Sequence, residues 1–78
     1  MARFLDTHKI GSMTEEQLRK PQELGPDEFG VVVVNILYNY EADVMYCILD
    51  APNKEAIEKH HTKLGYTCDS IMEIKTTA

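Results

Sequence analysis

Apolar and polar positions along the chain alternate in some stretches with the period of a strand and recur in others with the period of a helix. Val31 to Tyr40 is the clearest strand. Its even positions are Val32, Val34, Ile36, Tyr38 and Tyr40 and its odd ones Val31, Val33, Asn35, Leu37 and Asn39, largely the β-branched and aromatic residues that a pleated surface favours. Both of its faces are apolar at the start. Glu41-Ala42-Asp43 makes a tight polar connection to a second strand, Val44 to Leu49, and the two predict an antiparallel hairpin. Arg3 to Ile10 has the composition of a further strand, closed by Gly11-Ser12, but neither of its faces is cleanly apolar. Ser70 to Thr76 is the last strand.

Two helices complete the pattern. Thr14-Glu15-Glu16-Gln17 fits a capping box, with Met13 and Leu18 at the positions of a hydrophobic staple. Pro21 removes a helical hydrogen bond and crowds the preceding turn, so a short or kinked helix is expected there. Asn53 caps the second helix. Ala56, Ile57, His60, His61 and Leu64 lie on or beside one stripe of it, and Gly65 stops it. The order strand, helix, strand, strand, helix, strand is the split β-α-β unit repeated once. This predicts an α+β, ferredoxin-like β-α-β-β-α-β fold, with a four-stranded antiparallel sheet and two helices on one face. Residues 1–78 then form a single domain. Two helices cover only one face of such a sheet, so the other face is expected to meet a second copy in a homodimer.

Composition narrows the function classes. At 78 residues a single core is marginal, which favours an added staple: a disulfide, a metal or a partner subunit. A net charge of −5 argues against nucleic acid as the main partner. No apolar run is long enough to cross a bilayer, and the start of the chain has no apolar signal segment. With only Cys47 and Cys68 as thiols, the expected setting is reducing and cytoplasmic, with both cysteines reduced.

Histidine carries the remaining chemistry. His60 and His61 are adjacent on the second helix and project about 100° apart, so one ion is not expected to take both. His61 shares the stripe of Ile57 and Leu64 and is the better candidate. Glu58 precedes His61 by three residues, a spacing used in di-metal bundles. Asp6 and His8 are two apart on a strand and share a face, with Asp6 either a ligand or an acceptor orienting the imidazole. A Cys47 thiolate among imidazoles would suit zinc, nickel or copper(I) over magnesium or calcium. Each residue also has a plainer reading: His61 as a buried histidine bonded to backbone, Glu58 as an exposed carboxylate, His8 and Asp6 as a polar patch, Cys47 as a small hydrophobe.

Four blocks together resemble a known family. They are Phe4-Leu5-Asp6-Thr7-His8; Glu28-Phe29-Gly30-Val31; Tyr46 through Pro52 with Glu55-Ala56-Ile57 and His61 through Gly65; and Ile71-Met72-Glu73-Ile74. The chain is similar to small ferredoxin-like proteins long classed as a domain of unknown function, some of them nickel-binding proteins of bacteria. The resemblance implies a dimer and binding of nickel or another divalent transition metal, with His61 at the position of the family's histidine. It implies no reaction. Three functional readings follow: a dimeric protein binding a metal or small ligand, a small dimeric α+β barrel enzyme with histidine as acid-base, and a structural interaction module.

Overall fold

The computed structural model describes residues 1–65 and 70–77. The elements run β1 (Ala2–His8), α1 (Glu15–Leu24), β2 (Val32–Asn39), β3 (Val44–Ala51), α2 (Lys54–Leu64) and β4 (Ser70–Ile74). The four strands form one antiparallel sheet in the order β2-β3-β1-β4. This is the ferredoxin-like arrangement that the pattern of the sequence predicts.

Register sorts the side chains into two faces. On the helix side, Phe4 lies opposite Leu49, Asp6 opposite Cys47 and His8 opposite Met45. All six are buried, and they join Leu18 of α1 and Ala56 and Ile57 of α2. On the other side, Leu5 lies between Ile48 and Met72, and Tyr46 between Thr7 and Leu37. No helix among the described residues covers that side, and Leu37, Tyr46 and Met72 are exposed.

β2 departs from simple alternation. Val33 pairs with Leu49 but Asn35 pairs with Ile48, so Val34 is an extra residue at a bulge. Before the bulge the odd residue Val33 faces the helices; after it the even residue Ile36 does, opposite Cys47. The apolar character of both parities therefore serves largely one face.

The helix ends form as their sequences predict. Thr14 accepts from the Gln17 amide while the Gln17 side chain accepts from the Thr14 amide. Asn53 accepts from the Ala56 amide, and Gly65 ends α2 in the left-handed conformation. Pro21 does not end α1, which runs on to Leu24. The Gln17 carbonyl, deprived of its donor, belongs to an exposed residue, so the loss costs little. β1 stops at His8, short of the expected Ile10, because the amides of Ile10 and Gly11 both donate to Asp43 Oδ1 in the β2–β3 turn. Asp43 itself holds φ 52°, a conformation that Asn also tolerates.

This clamp yields a prediction. Asp43→Ala should lose about 1–3 kcal/mol in urea unfolding, since it orphans two amides. Asp43→Asn keeps the acceptor and the backbone preference, and should stay within about 1 kcal/mol of wild type.

Candidate metal centre

β1 is a central strand, so residues on its helix side have neighbours on both flanks and a helix above. Asp6 occupies that position with no exposed surface. Cys47 of β3 lies on one side of it, Ile71 of β4 on the other, and α2 supplies His61 from above. The His61 Nε2 is 2.9 Å from Asp6 Oδ2, and the His8 Nε2 is 3.0 Å from Asp6 Oδ1. The two imidazoles meet edge to face with centroids 4.7 Å apart. Donor atoms of Asp6, His8 and Cys47 all lie within 4.8 Å of one another.

The angles in this cluster matter as much as the distances. Both Asp6 oxygens are within hydrogen-bond distance of an imidazole nitrogen, near enough to be stabilised by it, but off the axis of a straight hydrogen bond. Close nitrogen and oxygen atoms that do not point along each other's hydrogen-bond axes are what donors converging on a shared cation would present. The chamber they line, with Leu18, Ile36 and Leu49 among its walls, holds about 40 Å³. That is room for an ion or a water and too little for an organic molecule. Imidazole, carboxylate and thiol together form a donor set for zinc, nickel or copper.

Charge is stabilised here despite burial. Burial, the largest influence, pushes the Asp6 carboxyl up; contact with His61 and then His8 outweighs it and brings the group to about 2, below its usual 3.8.

Of the residues that the sequence singles out, Asp6, His8 and Cys47 bring donor atoms together, and His61 meets this group at Asp6 Oδ2 and at the His8 ring. His60 and Glu58 do not join them. The His60 ring touches that of His61 at 5.6 Å, but its Nδ1 lies 2.5 Å from Asp27 Oδ2. Glu58 is exposed, beside Glu55 and Thr62, on the far side of α2. The buried arc of the helix centres on Ile57 and His61, and Glu58 falls beyond its edge. Glu73 pairs with Phe4, away from His8. Cys68 lies outside the described residues. Asp27, which holds His60 away from the cluster, is a partner that the sequence pattern did not single out. Its signal was an acidic residue in a Gly-Pro turn, and its Oδ1 indeed accepts from the amides of Phe29 and Val31.

Fold and cluster together define a small ferredoxin-like protein with a buried histidine–carboxylate–thiol group. The chain belongs to the family described as nickel responsive protein SCO4226-like, whose profile matches residues 4–74. The crystal structure of SCO4226 from Streptomyces coelicolor A3(2) is similar, with a TM-score of 0.80 and 23% identity, over 99% of this chain and 100% of that one. At that identity the likeness speaks for the fold. No curated protein matches. Among the described residues no helix is long and apolar enough to cross a membrane.

The depressed Asp6 pKa fixes a pH dependence. A carboxyl held at about 2 in the folded protein against 3.8 ordinarily contributes stability above pH 3.8 that is lost as pH falls toward 2. Urea unfolding at stepped pH should show wild type losing stability across that window more steeply than Asp6→Asn. Parallel curves would mean that the carboxylate is not preferentially ionised in the fold.

Proposed function

We propose that this protein binds a divalent transition metal ion, nickel foremost, through Asp6, His8 and Cys47, with His61, which meets Asp6 from α2, as a fourth donor. The observation that carries the reading is the fully buried Asp6 carboxylate, within 3.0 Å of two imidazole nitrogens and yet without a properly directed hydrogen bond. The name of the family, nickel-responsive, supports the choice of ion. The two residues of this set on β1, Asp6 and His8, share a face, Cys47 comes from the neighbouring strand, and His61 comes from the docked helix. Loading such a site orders three separate segments at once. Binding releases protons, because neutral imidazole and thiolate are the ligating forms.

Calorimetry with nickel tests this reading. Wild type should bind about one ion per chain, and affinity should fall as pH drops through about 6.5, where ordinary imidazole gains its proton. His8→Ala and His61→Ala should each weaken binding at least about tenfold, while His60→Ala should bind as wild type does. Wild-type affinity in both His8→Ala and His61→Ala would remove the metal from this cluster.

We further propose that a second copy packs on the uncovered sheet face. Leu5, Ile48 and Met72 form a row across it, with Leu37 and Tyr46 beside them, an apolar patch unusual on a lone chain. The Arg3–Asp50 ion pair, at 2.8 Å, lies in the adjoining row. Light scattering at micromolar concentration should give twice the chain mass, and Ile48→Glu should return a monomer. A wild-type monomer under those conditions ends the proposal. The binding reading is favoured over an enzyme because the cluster's chamber is ion-sized. The setting we propose is the cytoplasm, where the Cys47 thiol stays reduced and able to ligate.

A further inference from the structure

Between α1 and α2, beside the cluster, lies a second and larger space of about 470 Å³. Met13, Pro21, Leu24, Val33 and Leu64 give it mainly apolar walls. Small-molecule sites run to roughly 300–1,000 Å³, mostly apolar with a few placed polar groups. The chamber over Asp6 is an order of magnitude smaller, so the two spaces suit different guests.

The polar groups on this cleft are Gln17, Lys20, Asp27, His60 and Lys63; the Gln17 side-chain carbonyl is taken by the Thr14 amide, and His60 is the ring held in place there. Its Nδ1 is held by Asp27 Oδ2, and the other Asp27 oxygen is fixed by the amides of Phe29 and Val31. The carboxylate thus anchors the ring to the 25–31 loop and sets its orientation. Among the described residues no other hydrogen bond reaches the ring, so Nε2 is the nitrogen left for a guest. The rim charge of Lys63 is already engaged by Glu28. A carboxylate guest could pair with the exposed Lys20 of α1, but at His60 it would face the charge of Asp27, and a wholly apolar guest would leave Nε2 unpaired against it. A hydroxyl meets neither objection, because it both donates and accepts and so suits Nε2 in either role.

We propose that the interhelical cleft binds a small, predominantly apolar molecule bearing a hydroxyl group. The hydroxyl bonds to His60 Nε2 and the apolar body lies against Met13, Pro21, Leu24, Val33 and Leu64. This site is separate from the metal cluster and does not depend on it.

The test compares para-propylphenol with para-propyltoluene, which differ by hydroxyl against methyl, on protein carrying isotope-labelled histidine. The phenol should bind saturably and move the ring resonances of His60. It should also bind about 3- to 10-fold more tightly than the methyl analogue, the size of one neutral hydrogen bond. In His60→Leu that preference should collapse toward unity, with the methyl analogue bound as before. The wild-type comparison decides the matter even if that variant folds poorly. Equal affinities in wild type, absence of saturation by either compound, or shifts confined to His8 and His61 would each overturn the proposal.

Discussion

A carboxylate with no exposed surface sits at the centre of this sheet, and the rest of the fold answers to it. Removing an ionised carboxylate from water costs far more than any single apolar contact returns, unless cations or hydrogen-bond donors surround it. Asp6 has His8 beside it on its own strand and His61 above it on α2. The position of α2 is therefore constrained twice, by Ile57 in the core and by the imidazole one turn further on. A shift of the helix by one residue would carry His61 away and leave the buried charge with the His8 contact but without its partner from above. Apolar burial alone would tolerate several dockings of so short a helix; the buried charge selects one.

Much of this was legible in the sequence. The capping box at Thr14, the Asn53 cap and the Gly65 stop rest on local chemistry, and local chemistry decided those boundaries. The β2–β3 hairpin announced itself by its apolar runs. The meeting of Asp6 and His8 followed from the period of two in a strand. Other features depend on contacts that no local pattern encodes. The pairing of His60 with Asp27 joins residues 33 positions apart through the docking of α2 on the 25–31 loop. Glu58 had a suggestive spacing from His61, but spacing fixes relative angles on a helix and not which angle faces the sheet. Ile57, without exposed surface, fixes that angle, and it turns Glu58 to solvent. Pro21 was a breaker by rule, but a short exposed helix absorbs the loss of one bond.

The two candidate spaces lie side by side and share Met13, Gln17, Pro21, Val33, His60 and Leu64 in their walls. His60 belongs to neither the Asp6 cluster nor the core. It stands between them, its ring edge against His61 and its Nδ1 on the loop before β2. Adjacent residues on one helix thus serve two compartments, because a turn of about 100° is enough to send one side chain down to the sheet and the other across to the neighbouring loop.

The extra residue at Val34 has a consequence for how kindred chains are compared. A strand read at constant parity assigns Val32, Val34 and Ile36 to one side, whereas the ladder separates Val32 from Ile36. A relative lacking that one residue would have the first half of its strand turned over unless its own pattern of large and small side chains were inverted as well. Alignments across this point must carry a gap to keep inside matched with inside. Otherwise, buried positions that vary freely will be mistaken for surface, and surface positions for core.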